Sequence, residues 1–570
     1  MIACINGSVA LPLIYSFRVI YNKLGGLLVE KSMIKQAWDM SWGAHSKVKQ
    51  LLFFSSAPSK AEPIVDMMES EHSLENKPAY QRSQFIGLVL GPLLFVLIQM
   101  FFSPEGLEKS AVSVLATTAW VAVWWITEAI PIPVTSLLPL LLLPVTQAVD
   151  GADVASAYGD PIIFLFLGGF MIALAMEKWN LHKRIAIIIV SKVGANPKRI
   201  VLGFMLATGF LSMWVSNTAA VMMMLPIGTA ITFQALANIR KGQDDTNLVK
   251  TFEKALIFGI GFAGTIGGFG TLIGTPPNII LAATIQKLYN VEITFATWLF
   301  FAAPIALVLI SFTWFYLVNV AFRVKLQEIP GGKKLIEEER KKLGKMSFEE
   351  KSVFSLFLFA AFMWISRTYL WTDLIPGISD TMIALFVGIL LFLIPSKTKG
   401  GKLLDWDVSR ELPWGVLLLF GGGLAIAGGF AETGLADWIG QQLTVLEGMN
   451  LILTILLTTA LILFLTEITS NMATATMILP ILASLALAIN VHPFALMVPA
   501  AMASNCAFML PVGTPPNAII YATEKITISE MVRSGFWVNI LAVILIVSAV
   551  YLILPVIMNI DLTVFPSNLK

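Results

Sequence analysis

Residues 211–226 read LSMWVSNTAAVMMMLP, and residues 465–480 read LTEITSNMATATMILP. Ser216-Asn217 with Leu225-Pro226 and Ser470-Asn471 with Leu479-Pro480 share one offset of 254 residues, and the pairs Gly168-Gly169 and Gly422-Gly423 share it too. A second motif, Gly274-Thr275-Pro276-Pro277-Asn278, returns verbatim as Gly513-Thr514-Pro515-Pro516-Asn517 at an offset of 239. The 15-residue difference fits an extra charged loop near 240–251. Self-similarity at this scale is a feature to establish before any chemistry is read.

Both polar tips lie inside long uncharged runs, 200–239 and 468–523, and comparable runs recur at 83–104, 110–127, 255–286 and 293–322. Of 570 residues, 57% are hydrophobic and only 13% charged, against about 25% charged in soluble domains. Hydrocarbon about 30 Å thick calls for repeated apolar stretches of about 20 residues. The chain therefore reads as an all-α polytopic membrane protein. Two cysteines, Cys4 and Cys506, give no disulfide framework, and the four histidines show no metal-ligand spacing. Segment 1–83 mixes charge with short apolar stretches, resembling neither a cleavable signal nor a membrane helix. It is expected to be cytosolic or interfacial and dispensable.

Basic residues gather at Lys183/Arg184, Lys198/Arg199, Arg240/Lys241, in 323–351 (nine Lys/Arg against six Glu) and at Lys397/Lys399/Lys402. Placing these loops in the cytoplasm by the positive-inside rule gives a cytoplasmic N-terminus and about eleven crossings: 84–103, 111–127, 131–147, 161–200, 252–288, 295–322, 353–372, 378–395, 413–440, 493–524 and 534–558. Segments 201–231 and 446–490 must then return to the side they entered from. The arms flanking Ser216-Asn217-Thr218 have about 13–15 residues each and so reach roughly 22 Å at most. Two re-entrant hairpins with polar tips near the midplane are predicted, the alternative being one helix of about 31 residues through the tip. An odd number of crossings separates the copies, which makes the repeat inverted, a transporter architecture with binding at the midplane.

Ser, Asn and Thr can donate to anionic oxygens or accept from a cation without a full charge in lipid. Gly-Thr-Pro-Pro-Asn is a helix break and restart, because Gly permits unusual backbone angles, Thr can cap and Pro suits the first turn. Carbonyls freed on one side suit Na⁺, and N–H groups with a positive dipole end suit an anion on the other. The competing reading takes GTPPN as a mere kink and the tips as hairpin packing. Applying the repeat offset predicts one cation shell from Ser212, Ser216, Asn217 and Gly274 and a second from Thr466, Thr469, Asn471 and Gly513. Oxygen-only ligation suits hard Na⁺, and two such ions would offset a divalent anion.

The residues resemble the divalent anion/sodium symporter family over roughly 84–560. The resemblance rests on Trp124-Trp125-Ile126-Thr127-Glu128 through Pro131, Thr135 and Leu138-Pro139, on Phe164 to Phe170, on Glu177-Lys178-Trp179-Asn180-Leu181-His182, and on the tips and GTPPN breaks. It implies sodium-driven transport of succinate-like di- or tricarboxylates in a bacterial cell membrane, by a homodimer in which a transport domain slides against a scaffold as an elevator. The scaffold would be 84–200 and 352–445, the transport domain 201–323 and 446–560, with a cytosolic loop at 324–351 and a tail at 561–570. Asn217, Thr218, Ser470 and Asn471 would contact the substrate carboxylates, aided by Thr275 and Thr514. Met472 departs from the pattern, standing where the second tip usually carries Thr, and a thioether cannot donate to a carboxylate.

Rival readings are a sulfate-type symporter, a dicarboxylate exchanger and an anion channel. An enzyme is disfavoured, since the membrane core offers no nucleophile and base pair, and nothing calls for nucleic acid. Glu467 is either a cation-attracting carboxylate or a hydrogen-bonded anchor of its hairpin, its repeat mate being Met213. Glu128 is expected to fix a helix break and His182 to cap a helix.

Overall fold

In hydrocarbon no water is available to backbone N–H and C=O groups, so each membrane segment must satisfy them internally. The computed structural model, which describes residues 80–193, 196–238, 243–326, 332–398, 400–443 and 448–569, is accordingly helical throughout. Its extended pairing among the described residues is a single isolated bridge, Pro395 to Lys402. The chain runs through α1 (Arg82–Phe101), α2 (Lys109–Thr127), α3 (Ile132–Thr135), α4 (Leu138–Val145), α5 (Gly151–Ala157), α6 (Pro161–Lys178), α7 (Leu181–Val193), α8 (Pro197–Ser212), α9 (Asn217–Asn238) and α10 (Gln243–Gly268). It continues through α11 (Pro276–Tyr289), α12 (Phe295–Tyr316), α13 (Gly332–Lys342), α14 (Phe348–Ser366), α15 (Asp380–Leu393), α16 (Trp414–Glu432) and α17 (Leu435–Leu443). Last come α18 (Leu451–Thr466), α19 (Asn471–Ala488), α20 (Phe494–Ser504), α21 (Pro515–Tyr521), α22 (Ile528–Leu552) and α23 (Leu554–Met558).

Eight helical stretches among the described residues are long and apolar enough to cross a membrane, α1, α2, α5–α6, α12, α14, α16, α19 and α22 with their extensions. This is a multi-pass membrane protein. The expected segment 1–83 lies almost wholly outside the described residues. Three stretches read as single crossings are each divided: 161–200 at Asn180 (φ 55°) between α6 and α7, 131–147 at Ser136-Leu137 between α3 and α4, and 413–440 at Thr433-Gly434 between α16 and α17. Asn tolerates the left-handed conformation, which ends a helix and redirects the chain. His182 Nδ1 lies 2.9 Å from Met176 O and Glu128 (φ 47°) caps α2, the local roles expected of them.

Helix starts follow their caps. Asp160 accepts from Ile162 N ahead of Pro161, Asn196 from Lys198 N ahead of Pro197, and Ser347 and Thr527 form capping boxes with Glu350 and Glu530. Two buried arginines are paired with carboxylates, which offsets the cost of removing their charge from water. Arg184 holds Glu350 at 3.0 Å and the carbonyls of Leu343 and Gly344, and Arg367 holds Glu292 at 2.6 Å and Asp380 at 2.8 Å.

The glycine pairs mark where helices approach closely. A Cβ on Gly168 would meet the Ala384 backbone on α15 at 2.7 Å, and the next glycine, Gly169, faces Ile273 at 3.3 Å. In the second copy a Cβ on Gly422 would meet Ser136 O at 2.5 Å, and Gly423 faces Thr476 on α19 at 2.3 Å. Each pair thus turns one glycine toward a helix break or hairpin and the other toward the helices behind it.

Candidate functional site

Both tips break where the motifs stand. α8 ends at Ser212 and α9 starts at Asn217; α18 ends at Thr466 and α19 starts at Asn471. At about 1.5 Å per residue, the 16 residues of α8 and the 16 of α18 reach roughly 24 Å, short of a hydrocarbon thickness of about 30 Å. Neither Ser-Asn pair sits inside a continuous helix.

In the first tip, Ser212 Oγ lies 2.6 Å from Asn217 Oδ1 and 2.5 Å from Gly264 O. One hydroxyl proton serves only one acceptor, so three oxygens crowd together with a single hydrogen among them. Gly274 closes the same place: a Cβ there would come within 2.3 Å of Gly268 O and 3.1 Å of Ser212 O. In the second tip, Thr466 Oγ1 lies 2.7 Å from Asn471 Oδ1 and 2.9 Å from Ser504 O. The two clusters repeat one design, a hydroxyl between an Asn side-chain oxygen and a carbonyl of the helix that precedes the break.

The breaks are held open by asparagines of the GTPPN motifs. Asn278 Nδ2 donates to Thr271 O (2.6 Å) and Phe269 O (3.2 Å), and Asn517 Nδ2 to Ala507 O (2.9 Å) and Leu510 O (3.0 Å). Asn505 ties the two copies together, accepting from Thr275 Oγ1 at 2.8 Å and donating to Asn278 Oδ1 at 3.2 Å.

Tips and breaks converge on one cavity of about 900 Å³, at the upper end of the usual range for small-molecule sites, about 300–1,000 Å³. Its wall carries Ser216, Asn217 and Thr218 from one tip, Ser470, Asn471 and Met472 from the other, and Thr275 and Thr514 from the breaks. α9, α11 and α19 all begin there, each bringing N–H groups without an intrahelical acceptor and the positive end of a helix dipole. No Lys, Arg or His lines it among the described residues; the charged groups that do are Glu128, Glu177 and Glu411.

The residues expected to bind substrate, Asn217, Thr218, Thr275, Ser470, Asn471 and Thr514, all line this cavity. Of the residues expected to hold cations, Ser212, Asn217 and Gly274 meet in the first cluster and Thr466 and Asn471 in the second, while Gly513 stands beside Glu467. Ser216 and Thr469 are engaged in their own hairpins. Ser216 Oγ accepts from Ala219 N at 3.2 Å, and Thr469 Oγ1 bonds Thr474 Oγ1 at 2.6 Å and Leu465 O at 2.9 Å. Sequence reasoning passed over the carbonyls of Gly264 and Ser504, which leave no side-chain signature, and the asparagines 278, 505 and 517. Two of those asparagines stand in the repeated motif itself and could have been found there. No group of three His, Cys, Asp or Glu side chains able to hold a metal occurs among the described residues.

The sequence profile of the sodium:sulfate symporter transmembrane region matches residues 82–559. The chain belongs to this symporter family. It is 53% identical over 509 residues to a sodium-dependent dicarboxylate transporter, SdcS, of Staphylococcus saprophyticus, covering 87% of this chain and 98% of that one. It is 52% identical over 493 residues to the protein of the same name from Staphylococcus aureus strain USA300, covering 86% of this chain and 94% of the relative. The solved structure of MtrF of Neisseria gonorrhoeae, from a class of antimetabolite efflux pumps, aligns at a TM-score of 0.49 and 12% identity over 83% of this chain and 96% of its own.

Proposed function

We propose that this chain is a sodium-coupled symporter of succinate-like dicarboxylates and not an enzyme. One observation carries the reading: two polar tips and two helix breaks meet in a cavity that no cationic side chain lines among the described residues. A dianion there must be neutralised by something other than the protein's own Lys or Arg. The oxygen clusters at Ser212, Asn217 and Gly274 and at Thr466 and Asn471 suit alkali ions in ligand type, and helix N-termini with Asn217, Thr218, Ser470, Asn471, Thr275 and Thr514 suit the carboxylates. Two or more Na⁺ ions would then lower the energy of the bound anion, and the anion that of the ions. This is reciprocal coupling in its thermodynamic sense. The name shared by relatives 52–53% identical favours dicarboxylate over sulfate.

In the same proposal the copies form an inverted repeat with two re-entrant hairpins in about eleven crossings, the N-terminus is cytoplasmic, and the bacterial inner membrane is the site of action. Segments 201–323 and 446–560 move as a transport domain against a scaffold of 84–200 and 352–445 within a homodimer. Gly169 against Ile273 and Gly423 against Thr476 supply the close, featureless contacts that such sliding needs. On this topology the cavity reaches the cytoplasmic ends of α6 and α16 at Glu177 and Glu411, the arrangement of an inward-facing state.

Labelled succinate, citrate and sulfate uptake by proteoliposomes, with and without an inward sodium gradient, tests the reading. Saturable succinate uptake that needs the gradient is expected. Conductance without sodium coupling, or sulfate preferred to succinate, would overturn it.

A further inference from the structure

Within 211–226 and 465–480, the one pair of repeat mates that differs in charge is Met213 and Glu467. Glu467 is only 3% exposed. Its Oε1 accepts from Phe508 N (2.7 Å), Met509 N (3.0 Å) and Asn539 Nδ2 (2.7 Å), and its Oε2 from Met509 N (3.0 Å) and Leu510 N (3.2 Å). Four of these five bonds come from backbone N–H groups, which can only donate. That pattern belongs to a carboxylate anion, seated in a nest of three successive backbone N–H groups.

The first copy solves the same problem with neutral groups. Its break is fastened by Thr271 Oγ1 donating to Met213 O at 2.5 Å, by Trp298 Nε1 donating to Phe269 O at 3.0 Å, and by the Met213 thioether packed over Gly270. Phe269 is the repeat mate of Phe508. Trp298 lies on α12 and Asn539 on α22, each of which follows its copy's broken helix. The first copy thus fastens its break without a charge and the second with one.

Glu467 adjoins Thr466 in the chain, and its Oε2 lies 3.3 Å from where a Gly513 Cβ would be. The anion therefore sits beside Gly513, one of the residues expected in the second cation shell, whereas Met213 brings no charge to the first. Charges a few ångströms apart and away from water interact far more strongly than in solution.

We infer that Glu467 is the positioning residue of the second cation site: it fastens the break 505–513 and, by its charge, makes that site bind Na⁺ more tightly than the first. The inference rests on the proposed cation sites and says that they are unequal. It places Glu467 outside the ligand shell, acting through Gly513 and the backbone of the break.

The test measures half-saturating sodium for succinate uptake, together with the sodium-dependent rise in melting temperature of the purified protein without substrate. Glu467→Gln is expected to raise half-saturating sodium by roughly tenfold, about 1.4 kcal/mol, while Glu467→Asp, which keeps the charge, stays within about threefold of the parent, about 0.65 kcal/mol. Thr466→Ala and Ser212→Ala serve as references. If neither reference shifts the sodium dependence, the cation sites themselves are misplaced. If Thr466→Ala shifts it but Glu467→Gln does not, or if the Gln and Asp variants shift it equally, the inference falls and the sites stand. Should Glu467→Gln fail to fold, Met213→Glu is measured instead. Lower half-saturating sodium supports the inference, and an unchanged or higher value overturns it.

Discussion

The first and second copies of the repeat solve one geometric problem with the same polar atoms and different surroundings. Ser212 and Thr466 both bridge an Asn oxygen and a helix carbonyl, and Asn278 and Asn517 both hold a break open. Around these the first copy is tight and neutral. Gly274 is pressed on Gly268 O and Ser212 O, whereas a Cβ on Gly513 would meet nothing nearer than Ala507 Cβ at 3.1 Å. On the proposed assignment, the shared parts are those a cation would need, and the differing parts are those each copy can vary.

The largest expected effect follows from this contrast. Gly274→Ala drives a methyl to 2.3 Å from a backbone oxygen, which cannot move without displacing α10, so sodium-driven uptake should vanish. Gly513→Ala requires Ala507 and Glu467 to give by only a few tenths of an ångström and should keep a measurable fraction of parental uptake. Equal losses from the two variants, measured at matched protein per liposome, would break the comparison.

A smaller effect is expected in stability. Asn278→Ala takes a donor from the carbonyls of Thr271 and Phe269, the latter keeping Trp298 Nε1, and removes one of the two acceptors of Asn505 Nδ2, which keeps Ala501 O. Stranding buried polar groups costs about 1–3 kcal/mol, so thermal unfolding in detergent should move down by several degrees. Asn517→Ala takes a donor from the carbonyls of Ala507 and Leu510, the latter keeping Gly513 N, and costs no amide of the other copy its acceptor, because Asn517 Oδ1 has no hydrogen-bond partner. Its shift should be the smaller of the two, and the reverse order would show that the tie through Asn505 contributes little.

How much of this could be read from the chain depends on which atoms do the work. The tips and breaks were legible because their side chains recur at fixed offsets, and Asn217, Asn471, Thr275 and Thr514 fall on the cavity wall where the repeat put them. The carbonyls of Gly264 and Ser504 were not, since any residue supplies a carbonyl. Ser216 and Thr469 carry the right hydroxyls, yet both bond locally within their hairpins, the competition to which Ser and Thr near helix ends are prone. Glu177 and Glu411 reach the cavity only because α6 and the start of α16 pack beside the tips, a long-range arrangement invisible in either stretch alone. The division of 161–200 at Asn180 had a signal in its length, 40 residues being too many for one crossing.

The smallest expected effect concerns the one position where the tips themselves diverge, Thr218 and Met472. Both line the cavity, so the two ends of a bound dicarboxylate would meet a hydroxyl on one side and a thioether on the other. Met472→Thr restores a donor. A single hydrogen bond is worth about 0.5–1.5 kcal/mol, which corresponds to a change of roughly two- to twelvefold in affinity. The change should appear in the KM for substrates whose second carboxylate reaches the second tip, with sodium dependence left alone, because Met472 Sδ is no ligand of either oxygen cluster. Less polar-ended substrates that profit from the thioether should lose affinity in the same variant. A ranking of succinate, malate, fumarate and citrate that is identical in parent and Met472→Thr would mean that the second tip holds its anion through Ser470, Asn471 and backbone N–H groups alone, and the asymmetry of the tips would then carry no selectivity.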